Sequence, residues 1–364
     1  MRTDYFSGKE EITLKKRIKI TSCMLILATA ACISGCSGKE SKKEGNIDLG
    51  MQAINEASYE EAAEYFNKSI EAGKDLQLAY RGLGMTYMNM GEYEAAKEAF
   101  TQALQNGSFF VNDLEIDISC YLASAYYKLG DYDGAIEIYT NVLELSKKND
   151  DVYYLRGVVN LEAGYYEAAI KDFDKTIELD SKNYDRYINI YKALALADHK
   201  EEGVAYLEKC SGLLSEKQQF EKGRICYYME DYNGAVSALE SLSESGDNRA
   251  TLYLGKAYEA LGDMNYAASL YEKYIQTDET NGEVYNQLGL CKLNMEEYET
   301  ALNCFQKGIA TGDGEVMQEL LFNEASAYEY ISDFSTAKTK FSEYLAKYPN
   351  DETAKRELEF LETR

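Results

Sequence analysis

The chain has no tryptophan, one proline (Pro349) and one histidine (His199) in 364 residues. Proline interrupts α-helices, so its near absence, together with plentiful Ala, Leu, Glu and Lys, predicts helix almost throughout. A single histidine leaves a serine or cysteine nucleophile without the usual choice of general base. We therefore expect no catalytic site, and we interpret His199 as a solvated turn residue.

Basic residues are scarce as well, since 38 lysines and arginines stand against 63 aspartates and glutamates, a net charge of −25. A surface this acidic repels nucleic acid, whose binding depends on neutralising phosphates. Gly38-Lys39 lacks the upstream glycine that a phosphate-binding loop needs. We therefore expect neither a nucleic-acid partner nor a cofactor.

None of the eight cysteines are spaced as Cys-x-x-Cys, so a zinc site is not expected. Five cysteines are scattered singly through predicted helices, and we interpret them as small buried hydrophobic residues. These five are Cys120, Cys210, Cys226, Cys291 and Cys304. Cys210 and Cys226 fall in adjacent predicted helices and are the pair best placed to meet.

The N-terminal segment has the order of a secretory signal: a basic stretch, an apolar run over residues 20–33, then small residues. The run is shorter than the roughly 20 residues that a membrane-spanning helix needs. The sequence Ile33-Ser34-Gly35-Cys36 resembles the lipobox of bacterial lipoproteins. This resemblance implies cleavage before Cys36 and a lipid such as palmitate on its thiol. The alternative is an N-terminal membrane anchor that is not cleaved.

The lipobox resemblance divides the start of the chain into a signal peptide, residues 1–35, and a lipidated cysteine with a flexible polar tether, residues 36–46. It implies an extracytoplasmic protein of the bacterial cell envelope, anchored to a membrane by lipid. The composition, which favours Lys, Glu, Tyr, Asn and Ile, is typical of a low-GC genome, and we expect a host with a single membrane. We therefore expect the outer face of the cytoplasmic membrane rather than an outer membrane.

One pattern recurs about every 34 residues behind the tether, and its clearest copy contains Gly84, Tyr87, Gly91, Ala96 and Phe100. The small residue of its second helix falls at Ala62, Ala96, Ala135, Ala169, Gly203, Ala235, Ala267, Ala301 and Ala337. These residues resemble the tetratricopeptide repeat. The resemblance implies an all-α, right-handed superhelical solenoid of about nine helix-turn-helix repeats over residues 47–350. Residues 351–364 are expected to form a capping helix.

Small residues determine the packing that this motif predicts. Gly84 or Gly157 on a first helix should let the second helix approach closely, where Ala96 or Ala169 meets it. Tyr87 or Tyr126 and Phe100 or Phe173 should fill the space between the two helices. The turns that end first helices should contain a left-handed residue, which favours glycine. The glycines expected there are Gly91, Gly130, Gly164 and Gly262.

Two places depart from the pattern. The fifth repeat has Tyr191 where a small residue belongs and Asp198 where glycine usually stands. Either its two helices splay and form a hinge, or the assigned register is wrong there. The step between the second and third repeats is long, which predicts an extended loop or a lengthened helix near residues 106–116.

By the resemblance, five positions of each first helix line a concave groove. In the sixth and seventh repeats these positions hold Lys217, Phe220, Arg224, Tyr227, Tyr228, Arg249, Leu252 and Lys256. Four cations beside aromatic rings are unusual in a chain this acidic, and arginine and aromatic residues dominate interface hot spots. We predict a peptide site for an acidic side chain or a C-terminal carboxylate. The alternative is that these cations are ordinary surface residues that balance local acid.

The predicted function is a membrane-anchored, extracytoplasmic scaffold for protein–protein interaction, which offers its groove to an envelope or secreted protein. The alternative is a peptide- or glycan-binding lipoprotein that captures or senses its ligand. Chaperone-binding members of the family clamp a terminal carboxylate with lysines, asparagines and an arginine. At the corresponding places the second repeat has Arg81 and Met85, so binding of chaperone tails is not expected.

Overall fold

The computed structural model describes residues 45–56, 58–107 and 112–363. Within these ranges it contains nineteen α-helices and no strand. Cys36, the signal peptide and most of the tether lie outside the described residues. None of the described helices has the length and apolar character that crossing a membrane requires.

The helices follow one another in pairs, with a nineteenth helix at the end. In chain order they are α1 Asn46–Asn55, α2 Tyr59–Glu71, α3 Leu76–Met90, α4 Tyr93–Gln105, α5 Asp113–Lys128, α6 Tyr132–Leu145, α7 Asp150–Glu162, α8 Tyr166–Leu179, α9 Tyr184–Leu196, α10 Lys200–Ser211, α11 Gln219–Tyr228, α12 Tyr232–Glu244, α13 Asn248–Ala260, α14 Met264–Ile275, α15 Gly282–Asn294, α16 Tyr298–Ala310, α17 Met317–Tyr330, α18 Phe334–Lys347 and α19 Glu352–Glu362. The expected all-α fold, with nine helix pairs and a final helix, is confirmed.

The chain divides into two compact units, whose described parts run over residues 45–200 and 201–363. The division falls inside the fifth repeat, between α9 and the body of α10. This is the repeat in which Tyr191 replaces a small residue, so the departure in sequence coincides with the division in structure. That the fifth repeat acts as a hinge stays a prediction.

Within each unit, consecutive helices pack from α1 to α9 and from α11 to α19. First helices also contact the next first helix: α1 meets α3 and α3 meets α5, while α11 meets α13 and α13 meets α15. We call the surface formed by the first helices of one unit its first-helix face. Because successive first helices touch, side chains from neighbouring repeats meet on this face.

The motif residues of the second helices form the core. All eight alanines at the motif position, Ala62, Ala96, Ala135, Ala169, Ala235, Ala267, Ala301 and Ala337, have no exposed surface. The ring or leucine four residues later is likewise fully buried, as at Phe100 and Phe173. One helical turn therefore presents both side chains to the same interior.

The close approach expected at the first-helix glycines is confirmed, and the predicted rings fill the space there. A Cβ atom on Gly84 would lie 2.5 Å from the Phe100 ring, and one on Gly157 would lie 2.7 Å from the Phe173 ring. The aromatic ring of the second helix therefore occupies the space that glycine leaves.

The left-handed turns were predicted correctly. Gly91, Gly130, Gly164 and Gly262 have φ angles of 76°, 79°, 80° and 87°. Asp198 adopts the same conformation, with φ 64°. The turn of the fifth repeat thus lies where the repeat register requires it, and the register was right.

Two further places depart from the regular repeat, namely the long step between repeats two and three and the C-terminal end of the described chain. The long step between repeats two and three includes α5, which has 16 residues and begins only at Asp113. Residues 108–111 of that connection lie outside the described residues. At the other end Asp351 accepts hydrogen bonds from the backbone N–H of Thr353 and Ala354 and so caps α19. Leu361 of α19 is buried against the last pair.

Candidate functional site

The residues predicted to bind a partner lie mostly on two touching helices of the second unit. Helix α11 carries Phe220, Arg224, Tyr227 and Tyr228, and helix α13 carries Arg249 and Lys256. These two helices pack against one another on the first-helix face. Lys217 was expected on α11, but that helix begins at Gln219, so Lys217 lies in the preceding connection and is exposed.

Cations and rings alternate across α11 and α13. The Arg249 guanidinium lies 4.4 Å from the Phe220 ring centroid, and the Arg224 guanidinium lies 5.4 Å from the same centroid. The Arg224 guanidinium also lies 5.4 Å from the Tyr253 ring centroid, and the Lys256 amine lies 5.1 Å from the same centroid. We call these five residues the cation–ring stack. Such contacts hold cations over ring faces with roughly 0.5–2 kcal/mol each.

Tyr253 is the central ring of this arrangement, and the sequence reasoning missed it. Leu252 was expected on the face, yet it is only 7% exposed and belongs to the core. Tyr253, one residue later, is half-buried and contacts Phe220 ring to edge at 6.0 Å. Its spacing of four residues from Arg249 and three from Lys256 places all three on one side of a helix. That spacing could have identified it.

Three tyrosines form the inner side of the stack. Tyr253 meets Tyr227 at 5.8 Å and Tyr228 at 6.3 Å between ring centroids, in edge-to-face arrangements. The hydroxyls of Tyr228 and Tyr253 lie 3.4 Å apart. Burial raises the pKa of Tyr227 and of Tyr253 above the ordinary tyrosine value. Both phenols therefore stay neutral at physiological pH and keep an O–H that can donate.

Lys256, at the inner end of the stack, is already paired. Its side chain is 13% exposed and forms an ion pair with Glu283 of α15. Burial by itself would lower the pKa of Lys256, but the Glu283 carboxylate raises it overall. Lys256 is therefore charged and neutralised within the fold.

Arg249, at the outer end, is open to solvent. Its side chain is 69% exposed, although its guanidinium lies 3.0 Å from Asp247. Asp247 also accepts the backbone N–H groups of Arg249 and Ala250 as the cap of α13. The hydrogen bond from Arg249 lowers the pKa of Asp247. Asp247 thus divides its oxygens between the helix cap and Arg249.

The arginines on the first-helix face of the first unit are less exposed than Arg249. Arg81 lies 2.6 Å from Asp117 of the next first helix and is 21% exposed, and Arg186 is paired with Asp151 and is 11% exposed. A solvated anion has little access to arginines held in this way. The exposed guanidinium of Arg249 therefore distinguishes the first-helix face of the second unit from that of the first.

Sequence models of the repeat match the chain along most of this architecture. Models described as "TPR repeat" or "Tetratricopeptide repeat" match residues 77–106, 123–164, 150–183, 220–282, 282–310 and 319–351. Together they cover more than half of the chain. The chain belongs to the tetratricopeptide repeat (TPR) family.

Solved TPR structures are similar in fold. A TPR protein from Parabacteroides merdae is 21% identical, with 77% of this chain and 97% of that chain covered and a TM-score of 0.42. Yeast Tom70 is 15% identical, with 87% of each chain covered and a TM-score of 0.47. YrrB, described as a TPR protein with an unusual peptide-binding site, is 22% identical, with 46% of this chain and 84% of that chain covered and a TM-score of 0.36. No curated protein matches this TPR chain significantly.

His199 of this TPR protein is less solvated than expected. Its ring stacks on that of Tyr166 with centroids 4.3 Å apart, so it has a packing role at the turn. Among the described residues, no group of three or more His, Cys, Asp or Glu side chains could hold a metal ion.

The five described cysteines are free thiols, and three of them are buried as predicted, namely Cys210, Cys291 and Cys304. Cys120 and Cys226 are partly exposed. Burial raises the pKa of Cys120 to about 12 and that of Cys210 and of Cys304 to about 11, and it also raises the pKa of Cys226 and of Cys291. A thiol reacts as its thiolate, which is nearly absent at pH 8 when the pKa is raised this far.

We expect these thiols to react with a disulfide reagent at pH 8 on the order of a hundredfold more slowly in the folded protein than in guanidinium chloride. Mass-spectrometric mapping after a timed reaction would assign the rate to each cysteine. The unfolded chain is the matched control, because it has the same thiols without burial. Fast modification of Cys210 or Cys304 in the native protein would contradict the burial described here.

Proposed function

We propose that this TPR protein is a lipid-anchored scaffold that holds a partner protein on the first-helix face of its second unit. The observation that carries the proposal is the cation–ring stack, in which an exposed arginine and a second arginine are held over the rings of Phe220 and Tyr253. Rigid, partly desolvated arginines and aromatic rings are the groups that contribute most binding energy in protein interfaces. No catalytic role is proposed for the chain.

The charge of the chain supports an acidic partner segment. The net charge is −25, yet α11 and α13 carry Arg224 and the exposed Arg249 on one face. A local cationic surface on an acidic protein attracts a carboxylate-bearing segment while the rest of the surface repels wrong contacts. We propose that the partner is an envelope or secreted protein.

The anchoring part of the proposal rests on the sequence around Cys36. A lipidated cysteine followed by a tether of about nine polar residues reaches at most roughly 30 Å, so the repeats would lie near the bilayer surface. We propose the outer face of the cytoplasmic membrane as the location, with the lipid chains providing the affinity.

Replacing Cys36 with serine tests the anchor. We expect the variant to lose incorporation of a palmitate analogue and to leave the membrane fraction, because no lipid can attach. When protease is added to cells whose outer envelope barrier has been removed, the unchanged protein should be cut. A Cys36→Ser variant that stays in the membrane with its N-terminal segment uncut would instead indicate a permanent N-terminal anchor.

Reversing two charges tests the partner surface. In cells, the recovered amount of a protein that co-purifies with the unchanged chain should fall at least tenfold when Arg224→Glu and Arg249→Glu are combined. The two new carboxylates would repel an acidic segment. The matched control is Lys307→Glu with Lys338→Glu, which changes the net charge equally on second helices. Equal recovery of the same protein with both double variants would end the proposal for this face.

A further inference from the structure

Two first helices carry a charged residue directly before the small residue of the repeat motif. In the fourth repeat it is Arg156 on α7, which precedes Gly157, and in the ninth it is Glu324 on α17, which precedes Ala325. Three other repeats have a buried leucine at this position, namely Leu83, Leu254 and Leu288. A charge here requires a partner within the fold, because an unpaired charge in the interior is costly.

The partner comes from the second helix of the same repeat, at the position directly before the buried ring. Asp172 on α8 and Lys340 on α18 stand there. Arg156 lies 2.6 Å from Asp172, and Lys340 lies 3.2 Å from Glu324. Both acids are 4% exposed, and the side chains of the two cations are 20% and 31% exposed. We call Arg156–Asp172 and Glu324–Lys340 the inner pairs.

The preceding repeat contributes to each inner pair, again from one equivalent position. Thr140 on α6 and Gln306 on α16 each directly follow the buried ring of their second helix. The Arg156 guanidinium donates a hydrogen bond to the Thr140 hydroxyl at 3.0 Å, and the Gln306 amide donates one to the Glu324 carboxylate at 3.4 Å. The first-helix charge therefore contacts two second helices, its own and the preceding one.

The two inner pairs have opposite polarity. The cation stands on the first helix in the fourth repeat and on the second helix in the ninth. Apolar packing distinguishes these repeats poorly, because each second helix has a fully buried alanine and a fully buried phenylalanine four residues apart. If α7 paired with α18, Arg156 would meet Lys340, and if α17 paired with α8, Glu324 would meet Asp172. Like charges repel strongly when they are held together away from water.

We propose that the inner pairs determine which second helix α7 and α17 accept, and so prevent helix exchange between the fourth and ninth repeats. The short turn within a repeat already favours pairing of its own two helices. The inner pairs add discrimination when helices from two copies of the chain meet during folding, since misassembly is a characteristic failure of repeat proteins. A polar residue inside an apolar helix interface can specify the pairing in this way. This inference is independent of the proposed function.

Reversing one inner pair tests the proposal, because it gives both repeats the same polarity. Arg156→Glu with Asp172→Lys keeps an ion pair within the fourth repeat but orients it as in the ninth. When the full chain is refolded from guanidinium chloride at about 10 μM, we expect the yield of native monomer to fall about threefold. Glu324→Lys with Lys340→Glu equalises the repeats in the other sense and should have the same effect.

Reversing both inner pairs at once supplies the comparison that identifies the mechanism. The quadruple variant again has opposite polarities, and its yield should return to that of the parent protein. The matched control reverses the more exposed pair on α8, with Lys175→Glu and Glu178→Lys, and should refold as the parent does. Crosslinking with mass spectrometry should detect α7–α18 contacts, absent from the parent protein, in the variant with Arg156→Glu and Asp172→Lys.

Two results would overturn the proposal. One is a parent-like yield from both variants in which a single pair is reversed. The other is a quadruple variant that refolds no better than they do, because an ordinary structural role predicts that the costs of two distant reversals add. The comparison holds even where a variant with one reversed pair fails to fold, since the quadruple variant is then still expected to fold.

Discussion

Replacing Asp172 with alanine should lower the free energy of unfolding of the first unit by about 3–5 kcal/mol. Asp172 on α8 is 4% exposed. Its two oxygens accept hydrogen bonds from Arg156 on α7 at 2.6 and 2.9 Å, and Asn160 adds a third at 3.0 Å. Removing the carboxylate leaves the half-buried Arg156 guanidinium without its partner, and an uncompensated charge in the interior is costly.

The measurement is the denaturant midpoint together with hydrogen exchange of the α7 and α8 amides, because repeat proteins lose stability locally. Glu178→Ala on the same helix is the control, since Glu178 is 69% exposed in its pair with Lys175 and exposed pairs contribute about 0–1 kcal/mol. Replacing Arg156 and Asp172 together with Met and Leu should recover most of the loss. An effect of Asp172→Ala no larger than that of Glu178→Ala would contradict the buried pair.

Replacing Phe100 with alanine should lower the free energy of unfolding by about 3–5 kcal/mol as well. The ring has no exposed surface, fills the space beside Gly84, and stacks on Tyr121 with centroids 5.5 Å apart. Its loss leaves a cavity in the core shared by α3, α4 and α5. Equilibrium unfolding followed by circular dichroism would measure the change.

A double-mutant cycle isolates the contact between ring and glycine. Alone, Gly84→Ala should cost about 1–3 kcal/mol, because the new methyl group would lie 2.5 Å from the ring. Together with Phe100→Ala it should cost much less, since the ring is gone. Leu145→Ala, at a side chain that is 63% exposed, is the control and should change stability by less than about 0.5 kcal/mol. Additive costs would show that the ring and Gly84 do not share this space.

Much of the fold could be predicted because the same packing arrangement recurs in nine repeats. A buried alanine followed by a buried ring one turn later recurs at Ala96 and Phe100 or Ala169 and Phe173, and any single ambiguity is resolved by the other copies. The close approach at Gly84 and its filling by Phe100 were predictable because the same small and aromatic positions recur in other repeats. The division within the fifth repeat was indicated by the departures from the motif at Tyr191 and Asp198.

Less of the candidate site could be predicted, because its geometry depends on side chains from different helices. The groove positions that the family resemblance implies located α11 and α13 correctly. They included Leu252, which is buried in the core, and omitted Tyr253. Lys256 was predicted as a partner-binding cation, yet Glu283, 27 residues further along, pairs with it. A pattern along one helix carries no information on which carboxylate the neighbouring repeat will bring beside it.

The central claim is that the second unit's first-helix face holds the partner, and site-specific photocrosslinking in native cells tests it most directly. A photoreactive amino acid would replace Tyr253 in one strain and Tyr266 in another, because Tyr266 is 42% exposed on the second helix α14. Mass spectrometry of the crosslinked peptides would then identify the partner segment. We predict that position 253 crosslinks to an acidic segment of one envelope protein, that the product disappears with Arg224→Glu and Arg249→Glu, and that position 266 gives none. The same product from both positions, or from position 266 alone, would contradict the account.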